Sequence, residues 1–315
     1  MTMSATPVAA PPDGLLRRLS DVLVVRRGFY LMLLLVPPLL WLGVVYLGSL
    51  FALLAQSFFS IDEFSGTIVE EPTLKTYGEL LQPANLDIIV RTVLLSTVVT
   101  LLAILIAFPI AYYAARYARG RVKALFYVAV MMPLWSSYLV KVYAWKLLLA
   151  KEGAVGWVMN AAGAASLLDG WLSLPLVGGP SLSVSYTGMV LVFLYLWTPF
   201  MVLPIQAALE RVPGSLIEAA GDLGADPGQT FRTVVLPLAL PGVVAGSIFT
   251  FSLTLGDYIV PQIVGPSSLI LGQVVYTQQG NAGNIPLAAA FSVVPVLIMG
   301  LFLTVAKRMG AFDAL

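Results

Sequence analysis

The feature that most constrains this chain is its set of apolar runs long enough to cross a lipid bilayer. A helix needs about 20 apolar residues to span the hydrocarbon core. Six segments reach that length: Leu31–Ala55, Ile88–Ala114, Ala124–Leu149, Tyr186–Ala207, Pro241–Val264 and Pro286–Ala306. Prolines fall inside them at Pro37, Pro38, Pro109, Pro133, Pro199, Pro261 and Pro295. In water these would break helices, whereas in a membrane bundle neighbouring helices can satisfy the freed backbone groups. With 59% hydrophobic and 10% charged residues, the chain cannot build the water-facing surface of a soluble domain, which carries about 25% charged residues. The expected class is an all-α, polytopic membrane protein with six transmembrane helices.

Composition also excludes chemistry. The chain has no cysteine and no histidine, which removes disulfides, the usual zinc ligands, thiol nucleophiles and imidazole acid–base catalysis. No lysine follows a glycine, so there is no phosphate-binding loop of the GxxxxGK[ST] kind. A net charge of +1 supplies no basic field for nucleic acid. Residues 1–14 (MTMSATPVAAPPDG) are small and proline-rich and read as a disordered tail. The uncharged run from Gly28 to Ser60 exceeds the about 7–15 residues of a secretory signal core, so it reads as a retained span.

Orientation follows the basic residues. With both termini in the cytoplasm, the inner segments hold Arg17, Arg18, Arg26, Arg27, Arg116, Arg119, Arg121, Lys123, Arg211, Arg232, Lys307 and Arg308. The outer side keeps Lys75, Arg91, Lys141, Lys146 and Lys151. The first outer loop is acidic instead, with Asp62, Glu63, Glu70, Glu71, Glu79 and Asp87. The expected organisation is a cytoplasmic N-terminal tail (1–27), a first span with its acidic outer loop (28–87), a six-span bundle completed by 88–308, and a cytoplasmic C-terminal tail (309–315). The outer segments are 56–87, 150–185 and 265–285; the second includes LLDGWLSLPLVGGPSL, apolar enough for a short interfacial or re-entrant piece.

One polar island interrupts this pattern. SLIEAAGDLGADPGQTF, Ser215 to Phe231, lies in the inner loop between spans four and five. Ser215 and Glu218 have the spacing of a reciprocal capping box. Gly224 suits a helix C-terminal stop. Asp226, Pro227 and Gln229 fit a second start. Leu216, Ile217, Ala220 and Leu223 share one face, and Glu218, Ala219 and Asp222 the other. Two short helices around a glycine corner are expected. Such a hairpin either merely connects two spans or serves as a docking knob, since Ala219, Ala220 and Gly221 permit close backbone approach.

An ionisable group deep in a span is costly and marks a functional site by default. Asp257, within FTFSLTLGDYIVPQIVG, is the acid that sits deepest in an apolar segment, with Tyr258 beside it. It either meets a cation in transit or pairs with Lys141 or Lys146 of span three. For those two lysines the simpler expectation is that their stems snorkel toward the outer interface.

EAAGDLGADPGQTFRTVVLPLALPG resembles the coupling loop of ABC-importer inner-membrane permeases, through Glu218, Ala219, Ala220, Gly224, Phe231, Val234, Leu236, Pro237 and Pro241. The resemblance covers roughly residues 88–306 and implies the type I importer permease fold. In that family the loop seats in a cleft of a cytosolic ATPase dimer, which assigns ATPase coupling to Glu218, Ala219, Ala220, Asp222 and Gly224. It further implies a second homologous permease subunit, a periplasmic or surface-anchored substrate-binding protein, and a place in the bacterial inner membrane. ATP and magnesium then belong to the partner ATPase, and this chain binds no cofactor.

Further segments narrow the likeness. PLWSSYLVKVYAWKLLL, PFMVLPIQAALERVP, GDYIVPQIVGPSS and GNIPLAAA are similar to the spermidine/putrescine importer permeases of the B type, and Asp257 matches the aspartate of their Gly-Asp-Tyr motif. Val264 and Ile285 depart from that pattern, standing where a glycine and a tryptophan are expected. The resemblance implies a polyamine as cargo and Asp257 with Tyr258 on its path. Other permeases sharing the coupling loop, for iron, amino acids, opines or other amines, are the alternative. A stand-alone secondary transporter would show several intramembrane charges and an internal repeat, and neither is visible. An intramembrane enzyme lacks the paired carboxylates or metal ligands it would need.

Overall fold

The computed structural model describes residues 27–308 apart from residue 63. Residues 1–26 of the expected N-terminal tail (1–27), with Arg17, Arg18 and Arg26, and the expected C-terminal tail (309–315) lie outside the described residues, as does Glu63. By contacts the chain divides into Met1–Ala55 and Gln56–Leu315. In the first unit, α1 (Arg27–Leu40) passes through a π-helical stretch (Trp41–Leu47) into α2 (Gly48–Gln56). Together they form one apolar helix, Tyr30–Gln56, long enough to span. Its leucines from Leu31 to Leu50, Trp41 and Tyr46 are exposed, as suits a helix solvated by lipid.

The second unit opens with a small hairpin, β1 (Ser60–Ile61) antiparallel to β2 (Ile68–Val69), pairing Ser60 with Val69 and Ile61 with Ile68. A short helix α3 (Lys75–Leu80) leads to α4 (Pro83–Arg116), which starts on a proline where no N–H is needed. Then come α5 (Gly120–Trp135), α6 (Tyr138–Leu148), α7 (Ala154–Ala161), α8 (Ala165–Leu172), a 3₁₀ turn (Leu182–Val184) and α9 (Tyr186–Arg211). The chain continues through α10 (Gly214–Asp222), α11 (Pro227–Thr230), a π-helical stretch (Phe231–Val235) and α12 (Leu236–Gly256). It closes with α13 (Ile259–Ile263), α14 (Leu271–Gly280) and α15 (Ile285–Arg308).

Among the described residues, five helices are long and apolar enough to cross a membrane, and a bent pair makes up to six. That pair corrects the expected third span. Residues 124–149 are not one helix, because α5 and α6 meet at 95°. Ser136 and Ser137 both leave the helical region, with ψ of 152° and 135°. The carbonyl freed at Pro133 is satisfied by the Ser136 hydroxyl at 3.1 Å and the Lys141 ammonium at 2.8 Å. Lys141 therefore bonds across the break.

The fifth span also differs. Its helix begins earlier, at Leu236, and stops at Gly256; Asp257 is extended (ψ 134°) and α13 starts afresh. The third outer segment is more ordered than expected, since its α14 buries Leu271, Gly272 and Val274. The apolar piece expected within 150–185 is α8, preceded by α7, which the sequence pattern does not signal.

The bundle centres on α4, α9 and α12, which pack on one another. Apolar side chains gain little by leaving lipid for protein, so membrane helices associate through small residues that let backbones approach. α4 presents a fully buried stripe of Val99, Ala103, Ala107, Ala111 and Ala114. α12 presents Gly242 and Gly246, one turn apart, to α9. A Cβ on Gly242 would come within 2.5 Å of the Pro204 carbonyl oxygen and 2.6 Å of the Ala208 Cβ. One on Gly246 would meet the Met201 Sδ at 2.7 Å. Three clusters result: one around Phe193 and Trp197, one along the alanine stripe to Ile205 and Leu209, and one around Phe291 and Leu271.

Gly242→Val should therefore destabilise the bundle by about 1–3 kcal/mol through forced separation of α9 and α12. Gly300→Ala, with open space around the new methyl, should leave stability unchanged or slightly raised. Thermal unfolding in detergent checks both. Equal melting of Gly242→Val and wild type would show that the α9–α12 approach does not hold the bundle.

Candidate functional site: a glycine corner and a carboxylate at a helix break

Two polar features stand out, and both hang from the ends of α12. The first is the α9–α12 connection. α9 ends in Arg211, Val212 is buried, and Pro213 turns the chain with φ −63°. The capping box expected at Ser215 does not form. α10 begins two residues earlier, at Gly214, its N-cap is Pro213 and no side chain caps it. Ser215 thus lies inside the first turn, out of the N-cap position from which it would pair with Glu218.

The other end matches the expectation closely. Gly224 has φ +82°, a conformation that a side chain disfavours. The Ala225 N–H donates to the Ala220 carbonyl at 3.0 Å and the Gly224 N–H to the Gly221 carbonyl at 2.9 Å, the paired bonds of a Schellman stop. Asp226 then caps α11: its Oδ1 accepts from the Gln229 N–H at 2.9 Å, and Gln229 Oε1 accepts from the Asp226 N–H at 3.0 Å. Two closed hydrogen-bond rings flank the corner, which makes it stiff.

The corner is also presented outward. Glu218, Ala219, Asp222 and Gly224 are exposed and Ala220 is half-buried. The apolar face splits: Ile217 packs on the core cluster of α4 and α9, whereas Leu223 is 89% exposed. Phe231 anchors the returning arm, meeting Phe108 and Tyr112 of α4 edge to face with centroids 5.8 Å apart in each case. The Arg116 guanidinium donates to the Val212 carbonyl at 3.2 Å. That bond brings the α4–α5 turn, with its arginines, to the same end of the bundle as the corner.

The second feature is Asp257. It sits where α12 stops, half-buried. Its Oδ1 accepts from the Val260 N–H at 2.8 Å, capping α13, and the Tyr138 hydroxyl of α6 donates to Oδ2. Among the described residues no ammonium or guanidinium lies within ion-pair distance of it. The ion pair with Lys141 or Lys146 is therefore not formed, and Lys141 instead serves Pro133.

A cleft of about 310 Å³ opens beside Asp257, lined by Trp197, Ser252, Leu253, Gly256, Tyr258 and Ile259. A second, of about 260 Å³, shares Gly256 and Tyr258 and continues to Tyr276, Gln279 and Ser292. Aromatic rings lie beside the carboxylate. Tyr258 stacks on Tyr276 with centroids 4.8 Å apart, and Tyr138 on Trp197 at 6.0 Å. Trp197 is 8% exposed and its indole N–H has no acceptor. Sequence reasoning found Asp257 and Tyr258 from the oddity of an acid in an apolar run. It missed Tyr138, Trp197 and Tyr276, which come from α6, α9 and α14 and carry no local signal.

Known proteins share this architecture. Residues 107–312 match the family described as "Binding-protein-dependent transport system inner membrane component". The chain is 53% identical over 313 residues to the inner membrane ABC transporter permease protein YdcU of Escherichia coli (strain K12), covering 99% of this chain and 100% of that one. It is 27% identical over 237 residues to the spermidine/putrescine transport system permease protein PotB of the same organism, covering 75% of this chain and 82% of that one. A bacterial alginate ABC transporter, solved in complex with an alginate pentasaccharide-bound periplasmic protein, has the same fold. The likeness has a TM-score of 0.67 at 15% identity and covers 94% of this chain and 98% of that one. The chain belongs to the binding-protein-dependent transport system inner membrane components: it is a multi-pass inner-membrane permease subunit of an ABC importer, with the type I fold, and ATP hydrolysis lies in a separate partner.

Proposed function

We propose that this permease forms half of the path for a small organic cation, most specifically a polyamine such as putrescine or spermidine, and that the α10–α11 corner couples that path to a cytosolic ATPase dimer. The observation that carries the cargo reading is Asp257: a carboxylate at a helix break, in a cleft walled by Trp197 and Tyr258, without a basic partner among the described residues. A carboxylate fixes an ammonium by charge, and aromatic faces add cation–π attraction of about 0.5–2 kcal/mol each. The second cleft would extend this environment toward Gln279 for the other end of a diamine. The likeness to PotB supports the same substrate class.

The coupling reading rests on the stiffness and exposure of the corner. A knob that transmits force must not deform, and the two closed rings around Gly224 meet that need. Glu218, Ala219, Asp222 and Gly224 form its exposed surface beside the half-buried Ala220, with Leu223 as an apolar tip for a partner's cleft. A second, homologous permease subunit completes the bundle, and a periplasmic or surface-anchored binding protein delivers cargo. In this arrangement the corner and both termini face the cytoplasm. Closure of the ATPase dimer draws the corners of the two subunits together and opens the path outward, and hydrolysis reverses it.

Asp257→Asn keeps an acceptor for the Val260 N–H and places an amide N–H₂ where it can donate to the Tyr138 hydroxyl, while removing the charge. It should lower putrescine uptake by about ten- to a hundredfold, the equivalent of about 1.5–3 kcal/mol for a charged hydrogen bond. Initial rates in proteoliposomes check this, and unchanged rates would leave Asp257 as a helix cap alone. Glu218→Lys should leave the chain inserted but abolish co-purification of the ATPase. Retention of both the ATPase and uptake would remove the coupling role from the corner. Because the chain has no native cysteine, Ala220→Cys gives a clean topology probe. A membrane-impermeant maleimide should label it in inside-out vesicles and not in intact spheroplasts, and the reverse pattern would invert the orientation.

A further inference from the structure

The coupling corner and the carboxylate at Asp257 lie at opposite ends of α12, and the bent pair α5–α6 reaches toward both. α5 is held unlike its neighbours. None of its residues is fully buried, and its apolar grip on the core runs through the partly buried Phe126 and Val130. Among the described residues, its polar side chains bond another helix at one place, Glu210 of α9. The Lys123 ammonium lies 2.8 Å from Glu210 Oε1, and the Tyr127 hydroxyl, one turn further along α5, donates to the same oxygen at 2.9 Å. Gln206, one turn earlier on α9 and 1% exposed, donates to it at 3.1 Å. Three donors from two helices converge on one carboxylate oxygen.

The position of Glu210 gives that junction its meaning. It stands four residues before Gly214, the first residue of α10. The intervening stretch is stiff, with Val212 buried and its carbonyl held by Arg116, Pro213 fixed in φ, and the Leu216 N–H bonded to the Pro213 carbonyl at 3.2 Å. Displacement of α10 must therefore reach Glu210 before it reaches the rest of α9. At its other end α5 meets the 95° bend, beyond which Tyr138, the first residue of α6, bonds Asp257.

We infer that Glu210, with Lys123 and Tyr127, is the joint through which motion of the coupling corner is passed to α5, and that α5 then moves as one body with α10 while α6 turns about Ser136 and Ser137. Glu210 is a positioning residue: it touches neither cargo nor ATPase. The inference rests on the coupling role proposed for the corner. A surface ion pair is ordinarily worth about 0–1 kcal/mol, so this one matters through its place in the linkage and not through its strength.

The test uses the assembled transporter, this chain with its partner permease, ATPase and binding protein, in proteoliposomes. Spin labels at Ser215→Cys on α10 and Met132→Cys on α5 report their separation by double electron–electron resonance, with and without ATP and vanadate. In the otherwise wild-type chain the distance should stay constant across the cycle. In Glu210→Ala and in the milder Lys123→Met it should broaden on nucleotide binding. ATP hydrolysis should persist in both, while putrescine uptake per ATP falls by about fivefold or more, which corresponds to about 1 kcal/mol of lost coupling. The charge exchange Lys123→Glu with Glu210→Lys should recover the narrow distance and most of the uptake, a rescue that a merely structural role in folding would not single out. The joint is refuted if the wild-type separation changes with nucleotide, if both single variants match wild type, or if the exchange behaves no better than Glu210→Ala. Failure of the ATPase to bind the wild-type chain would instead strike the coupling reading. Absence of wild-type putrescine uptake would strike the cargo reading, and the spin-label distances would still judge the joint.

Discussion

The close approach of α12 to α9 is the contact on which the rest of the molecule depends. In lipid, burying a leucine against protein gains little over leaving it against acyl chains, so association must come from backbone proximity and interlocking shape. Gly242 and Gly246 permit that proximity, and the alanine stripe of α4 closes the third side. The result is a rigid three-helix frame. Both polar features are mounted on it: the glycine corner precedes α12 and Asp257 ends it. A fixed frame makes their separation fixed, which a device that couples events at its two ends requires.

Backbone accounting explains where the frame is interrupted. Every N–H and C=O in the hydrocarbon region needs an internal partner, so a break in a span must be repaired by side chains. At Ser136–Ser137 the repair comes from the Ser136 hydroxyl and the Lys141 ammonium on the Pro133 carbonyl. At Asp257 it comes from the carboxylate on the Val260 N–H. The two breaks are joined by the Tyr138 hydroxyl bond to Asp257. Polar residues that look expensive in an apolar sequence are thus what allows helices to bend at chosen points.

Features that depend on neighbours along the chain are legible in the amino-acid sequence itself. The Asp226–Gln229 box and the Gly224 stop depend on a few consecutive residues and form as expected. Hydropathy locates Tyr30–Gln56, Pro83–Arg116, Tyr186–Arg211 and Ile285–Arg308 to within a few residues, because their partner is the bilayer itself, but it does not register the stop of α12 at Gly256. Ser215 shows the limit of local reading: its spacing to Glu218 is right for a cap, but Pro213, with φ preset for the turn, takes the N-cap position and draws Ser215 into the helix. The broken third span is hidden because Trp135, Ser136 and Ser137 interrupt hydropathy too briefly to register. The Gly242–Gly246 contact, the placement of Tyr138 and Trp197 beside Asp257, and the stacking of Tyr276 on Tyr258 join residues far apart in sequence, which no local pattern reports.

The same distinction bears on how energy would cross this subunit. A loop that docks an ATPase can be recognised from its own residues, but docking alone moves nothing inside the membrane. Work has to pass along contacts that survive the motion, and the fully buried alanine and glycine contacts of the frame are poor candidates because any sliding there would separate backbones. The loosely held α5 is a better one: it has no fully buried residue, a bend at one end, and two side chains bonded to Glu210 at the other. Rigidity in α4, α9 and α12 and freedom in α5–α6 are therefore complementary, the first fixing the distance across which the second can act.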